Sequence, residues 1–215
     1  MAYSFLSSWA MESLYPNLIA PANTGTASNH HMSAFLQFDL TPLIVEALAG
    51  DDIISATMRL YVLSGAESGF GAGPSATYPV SFDVRLLEGS WNEATLTWNN
   101  QPGGAYNPTT TSPPGTIVAT SPTITNTGIW VDVDITDILT GWLDDPATNY
   151  GLRLTQPTEV RDSGGASVFP SFASSEYATE SYRPQLVVQT VPEPETAVLF
   201  GLGVAGFLTV RRRNR

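Results

Sequence analysis

The stretch Trp91–Pro102 (WNEATLTWNNQP) gathers the side chains best suited to chemistry on a neutral ligand. Trp91 and Trp98 offer flat aromatic faces that stack on the apolar faces of sugar rings, while Glu93, Asn99 and Asn100 offer carboxylate and amide groups for the hydroxyls. Such a set holds a glycan on a shallow surface without cleaving it. The same residues also suit a purely architectural role, the tryptophans as core anchors and Asn99 and Asn100 as turn formers. A second group is acidic: Asp132 and Asp134 alternate with Val131, Val133 and Ile135 and so share one strand face, with Asp137 and Asp144 close in sequence. Clustered carboxylates could hold a structural calcium, a hard cation wanting six to eight oxygens. No D-x-D-x-D-G loop accompanies them, so solvated acids or helix-start caps are the alternative.

Other chemistries find less support. The only two histidines, His30 and His31, are neighbours, and adjacent side chains diverge on an extended chain, which suits neither a triad nor a paired metal site. Without cysteine there are no disulfides, thiol nucleophiles or thiolate metal ligands. A glycosidase needs only two carboxylates about 5 to 9.5 Å apart, one with a raised pKa, and no such pair stands out from the sequence. Gly201, Gly203 and Gly206 fit the dinucleotide-binding pattern G-x-G-x-x-G, but the chain ends at Arg215, too soon for the second strand and acidic residue that the motif requires.

Charge separates the chain into two parts. The 215 residues contain no lysine, and four of nine arginines (Arg211, Arg212, Arg213 and Arg215) fall in the last five positions. Residues 1–190 hold five arginines against eighteen acids, a formal charge of -13. Nucleic-acid binding requires a basic face, which five dispersed arginines in an acidic body do not form, so no nucleic-acid partner is expected. Arg59, Arg85, Arg153, Arg161 and Arg183 read as surface or ion-pair residues. Composition that is 42% hydrophobic excludes disorder, and a body of this length can bury one core.

The elements that must position these residues are short strands. Ile54, Ala56, Met58, Leu60 and Val62 alternate with polar or amphipathic residues, as do Tyr78, Val80, Phe82, Val84 and Leu86, then Ile129, Val131, Val133 and Ile135, then Tyr150, Leu152 and Leu154. Phe35–Leu40, Val168–Phe172 and Gln185–Gln189 are shorter strands, and 64–75 and 101–122 read as long loops. One helix is expected at 137–144, with Thr136 as N-cap and Pro146 as stop. Many short strands, one small helix and no βαβ alternation give an all-β, antiparallel, jelly-roll-like β-sandwich over residues 1–190.

Residues 191–215 form a separate device. Val191–Glu195 (VPEPE) breaks regular structure, 196–210 is uncharged and largely apolar, and an arginine cluster follows. Fifteen helical residues rise about 22 Å, short of the roughly 30 Å hydrocarbon core, yet the flanks favour a C-terminal transmembrane helix whose arginines stay cytoplasmic. The tail, with Pro192, Glu193 and Pro194, then Gly201, Leu202 and Gly203, then Arg211, Arg212 and Arg213, closely resembles the PEP-CTERM sorting signal of Gram-negative bacteria. The resemblance implies export, transient residence in the inner membrane, recognition by an exosortase near Pro192–Pro194, and delivery to the cell surface or extracellular matrix. Met1–Tyr15 lacks the basic and apolar regions of a signal peptide, so the true start is expected upstream.

The body resembles a DNRLRE domain, a β-sandwich module of secreted proteins related to carbohydrate-binding modules. Four blocks carry the likeness: Phe35–Leu40 (FLQFDL) with Ile54–Leu60 (ISATMRL); Trp91–Pro102; Trp130–Thr136 (WVDVDIT) with Trp142 and Asn149–Leu152 (NYGL); and Phe172–Glu176 (FASSE) with Arg183–Val188 (RPQLVV). The expected function is a non-catalytic surface or matrix protein that binds exopolysaccharide and needs no cofactor. A purely structural matrix protein and a polysaccharide-cleaving enzyme are the alternatives.

Overall fold

The computed structural model describes residues 2–10, 33–47, 52–64, 73–96, 100–104, 112–158 and 160–191. Among the described residues are ten strands, two α-helices and two single-turn 3-10 helices (Pro146–Thr148 and Glu180–Tyr182): β1 (Ala2–Ala10), β2 (Ser33–Phe38), α1 (Thr41–Ala47), β3 (Asp52–Val62), β4 (Asp83–Leu86), β5 (Thr116–Thr120), β6 (Ile129–Asp134), α2 (Thr136–Asp144), β7 (Leu152–Thr155), β8 (Val160–Arg161), β9 (Ser167–Val168) and β10 (Gln185–Val191). Every ladder is antiparallel. The hydrogen-bonded order is β5-β4-β7-β2-β1-β10-β3-β6, with β8 and β9 a separate small hairpin.

Two sheets arise from this single order because β1 changes partner along its length. Its first half, Ala2 to Leu6, pairs with β10, and its second half, Ser7 to Ala10, pairs with β2. The four-stranded sheet β1-β10-β3-β6 and the five-stranded sheet β5-β4-β7-β2-β1 therefore share one strand. Their inner faces meet: Leu36, Phe38, Val84, Leu152 and Leu154 pack into one cluster with Met58, Leu60, Val131, Val133, Leu186 and Val188. Each such side chain contributes about 1.5–3 kcal/mol by leaving water, and period-two alternation brings them to the same side. The all-β antiparallel sandwich with a short helix is thus the observed fold.

The strand-to-helix corners are built alike. Asp39 Oδ1 accepts the Thr41 N–H at 2.9 Å where β2 gives way to α1, and Asp134 Oδ1 accepts the Thr136 N–H at 2.9 Å where β6 gives way to α2. Each carboxylate holds the turn that swings the chain out of the sheet. Leu43 of α1, and Leu139 and Trp142 of α2, then join the core. Gly151 stands before β7 at a φ of 87°, and a Cβ there would collide with the Leu36 carbonyl oxygen, so the close approach of β7 to β2 requires glycine.

Several expectations are corrected. Thr136 is the first residue of its helix rather than its cap: its hydroxyl donates to Asp134 Oδ1 at 2.6 Å and accepts the Ala56 N–H at 2.9 Å, tying the helix to β3. Ile54 is 56% exposed, because the β3–β10 register slips between Gln189 and Thr190, and Ile54 falls at the bulge. Of the 78–86 run only Asp83–Leu86 is strand; Pro79 lacks an N–H for a ladder, although Val80 bridges Ile124. Similarly, the Val168–Phe172 candidate yields β9 and one bridge from Phe172 to Val62. The loop placed at 101–122 contains β5, and α1 is an additional helix. The 196–210 helix and both histidines fall outside the described residues; among those described, no helix is long and apolar enough to cross a membrane.

Candidate functional site

The segment after β4 crosses the outer face of the five-stranded sheet. Alternation on β2 that turns Leu36 and Phe38 inward turns Phe35 outward, where it forms a second small core with Leu87 and Leu96, flanked by Trp91 and Tyr150. The Trp91 ring lies 5.7 Å from that of Phe35 at 54°, and its Nε1 donates to the Tyr150 carbonyl at 2.9 Å. Trp91 is half-buried, and its one donor is engaged by the fold. The next residues form a tight turn in which Asn92 Oδ1 accepts the Ala94 N–H at 3.0 Å. Glu93 projects from this turn into solvent. Asn100 closes the loop by donating Nδ2 to the Thr95 carbonyl at 2.7 Å. Trp98 and Asn99 lie outside the described residues. Of the five site residues, then, Trp91 and Asn100 brace the loop and Glu93 is the outward group.

Partial desolvation raises the Glu93 carboxyl above its ordinary 4.5, and the negative charge of Glu176 raises it further. Glu93 belongs to the second of the blocks that carry the DNRLRE resemblance and Glu176 to the fourth.

Beside this loop is a feature that sequence reasoning missed. Arg85 and Arg153 occupy directly paired positions on β4 and β7, both outward-facing. Like charges so placed repel unless something solvates them. Arg153 is fully buried: one terminal nitrogen donates to the Pro114 carbonyl at 3.1 Å, the other to Gln101 Oε1 at 2.9 Å and the Pro102 carbonyl at 3.0 Å, and the guanidinium lies 4.9 Å from the Phe35 ring centre. Arg85 donates to Thr155 Oγ1 at 3.2 Å and to the Pro113 and Gly115 carbonyls at 3.0 and 2.9 Å, with the Asp83 carboxylate 3.9 Å away. The surface half of the expectation fails for both, while Arg85 keeps the expected ion pair with Asp83: the two are buried clamps that hold residues 101–102 and 113–115 against the sheet. Their positions on the outward face were readable from alternation. The backbone oxygens that receive them, from a segment tens of residues away, were not.

The acidic group has local duties. Asp132 pairs with Arg59 at 2.8 Å on the outer face of the four-stranded sheet. The Thr136 hydroxyl and N–H hold the Asp134 carboxyl below its usual range. Among the described residues no three acidic or histidine side chains come together as a metal site.

These contacts set two expected outcomes. Arg153→Leu strands three oxygen acceptors and should cost roughly 3 kcal/mol or more in denaturant unfolding, whereas Arg59→Ala at the exposed pair should cost about 1 kcal/mol or less; equal midpoints would contradict the clamp. For Glu93, the raised pKa means that the folded chain holds the proton more tightly than the unfolded one. Its penalty is fully present above the raised value and disappears as pH falls below the ordinary 4.5. Glu93→Gln should therefore be slightly more stable than the native chain at pH 7, with the difference vanishing by about pH 3.5 in thermal melts.

The sequence comparisons agree with this architecture. Carbohydrate-binding module family 96 matches residues 16–190, the span that resembles a DNRLRE domain, and the PEP-CTERM protein-sorting motif matches residues 190–213. No curated protein matches the chain. With the family match covering most of its length, the chain belongs to carbohydrate-binding module family 96 and carries a PEP-CTERM sorting signal at its C-terminal end.

Proposed function

We propose that this is a non-catalytic, exported protein that binds exopolysaccharide at the cell surface or in the extracellular matrix and is sorted there by an exosortase. The observation that carries the reading is the carbohydrate-binding family match over residues 16–190, joined to the sorting motif at 190–213. In this reading residues 1–190 are the binding body and 191–215 the sorting segment. Pro192, Glu193 and Pro194 are the processing site, and Arg211, Arg212 and Arg213 hold the tail at the cytoplasmic side of the inner membrane before processing. Glu93, Trp98, Asn99 and Asn100 contact the glycan from the loop that Trp91 secures.

Physical chemistry supports binding over cleavage. A general acid must keep its proton near neutrality, which takes deep burial or a close like charge inside a cleft. Glu93 has a raised carboxyl but stands in solvent. Shallow recognition needs only fixed polar groups beside an aromatic ring, and the loop is fixed by its contacts to Phe35 and Tyr150.

Affinity electrophoresis of the detergent-solubilised full chain through gels containing different polysaccharides tests the binding reading. Retardation by at least one, weakened in Trp98→Ala while the melting temperature holds, is the expected result; no retardation by any would favour the purely structural alternative, and reducing-end release would favour the enzyme. Sorting is tested separately in the native cell. Deleting 192–215 should release an unprocessed body into the medium, and replacing Arg211, Arg212 and Arg213 with Ala should impair retention. Unchanged location in both variants would contradict the exosortase route.

A further inference from the structure

The aromatic rings on the outer face of the four-stranded sheet touch one another, and one of these contacts is a reactive geometry. Tyr182, in the single-turn 3-10 helix Glu180–Tyr182, stacks on Tyr61 of β3 with ring centres 3.8 Å apart and planes within 9°. Whatever the rotation of one ring over the other, an ortho carbon of Tyr61 then lies within about 5 Å of an ortho carbon of Tyr182. Two further rings adjoin the pair. Trp130 of β6, paired with Tyr61 across the ladder, has its ring centre 5.4 Å from that of Tyr61 in a T-shaped contact, and Tyr177 lies 6.3 Å from Tyr182, 26° from parallel. All four rings are half-exposed, so a small oxidant in solution reaches them.

We propose that Tyr61 and Tyr182 are a site of oxidative cross-linking, joined by a carbon–carbon bond between ortho carbons when a peroxide acts through a haem peroxidase. Each phenol loses one electron and its hydroxyl proton, leaving a neutral phenoxyl radical whose spin is shared by the oxygen, the two ortho carbons and the para carbon. The para carbon already carries the side-chain stem, so coupling falls to the ortho positions. One ortho carbon of each ring forms the new bond, and the hydrogen on each of those carbons moves as a proton to the phenoxyl oxygen, restoring both phenols. In balance, the chain loses two hydrogen atoms and one hydrogen peroxide is reduced to two waters. Oxidation that begins at Trp130 or Tyr177 reaches the pair by electron transfer between neighbouring rings. Bond formation also requires the stacked rings to close up, and Tyr182 can supply that movement. Its turn is held by its own bonds, from the Tyr182 N–H to the Thr179 carbonyl and from the Arg183 N–H to the Glu180 carbonyl, and stands before the β3–β10 ladder begins at Gln185. The cross-link ties β3 to the entry of β10 across 121 positions, in a chain whose lack of cysteine excludes a disulfide. Closing so long a loop removes conformational freedom from the unfolded chain, as a disulfide does.

The test treats the full chain in detergent, at low protein concentration, with hydrogen peroxide and a haem peroxidase. The expected result is dityrosine fluorescence, a monomer lighter by two hydrogen atoms, and a protease digest in which the peptide bearing Tyr61 is bonded through that residue to Tyr182. Tyr61→Phe and Tyr182→Phe keep a ring in the stack but lack the phenolic hydroxyl, so each should abolish this product at an unchanged melting temperature, while Tyr177→Phe should retain it. Should a variant unfold, the digest of the native chain decides by itself. The purified cross-linked chain should melt several degrees above the untreated one. Dityrosine mapped to other residues, bonds formed only between chains, or hydroxylated rings with no bond between residues 61 and 182 overturn the proposal. A cross-linked chain that melts no higher than the untreated one overturns its role as a staple.

Discussion

A buried guanidinium cannot be left without oxygen partners, and that constraint organises one whole side of this molecule. Arg153 sits on a strand face that would otherwise meet water, yet no part of it is exposed. Desolvating an unaccompanied cation would cost far more than the few kcal/mol by which a domain is stable. The chain resolves this by closing over it: Gln101, Pro102 and Pro114 deliver three oxygens, and Phe35 supplies an aromatic face from below. Once that segment is held down, the preceding stretch must also cross the sheet, where Leu87, Leu96 and Trp91 cover Phe35. The position of Glu93 is thus a remote consequence of where a cation is buried.

At the sandwich ends the controlling interaction is smaller and repeated. Asp39 with Thr41 and Asp134 with Thr136 use the same Asp-x-Thr spacing, two positions apart, to convert an outgoing strand into a helix that folds back over the core. In both, the threonine hydroxyl and N–H lower the pKa of the carboxyl, so the carboxylate is the form that the folded chain prefers. Their contribution is present above the ordinary carboxylate pKa and is lost as acid protonates them. Asp132 and Asp134, which read from sequence as calcium ligands or else as solvated acids or helix-start caps, are engaged locally: Asp132 pairs with Arg59, and Asp134 holds the helix start, as the last of those alternatives had it.

How much of this was legible depended on whether the cause was local. The alternation in β3, β6, β7 and β10 is a burial pattern written into each strand, so those strands and the sandwich could be read directly. Strand β5 (TIVAT) is an edge strand with four of its five residues exposed, leaving no apolar rhythm to detect. Helix α1 (TPLIVEA) is short and β-branched at Ile44 and Val45, and looks like a strand unless Asp39, Thr41 and Pro42 are recognised as a helix start. In the candidate site, the Trp91 loop was visible as a cluster of residue types, but its internal division of labour was not. That Trp91 spends its indole N–H on Tyr150, fifty-nine positions away, follows from the fold and not from the motif.

The two sheets share a core but not an exterior, and the two outer faces are covered in different ways. On the five-stranded side, outward residues such as Phe35, Arg85 and Arg153 are large and need cover, and the crossing segment provides it from the chain itself. On the four-stranded side the outward residues are of another kind: Thr57, Arg59, Tyr61, Trp130, Asp132 and Gln185 tolerate water, their apolar area being shared among stacked rings and an ion pair. Among the described residues, the turn bearing Tyr177 and Tyr182 is what lies on this face by ring stacking, and it extends the aromatic row rather than hiding it. A sandwich needs its inner faces to fold and can do without its outer ones. Here one outer face is used to bury charge, and the other keeps its rings stacked on one another and its charges paired at the surface.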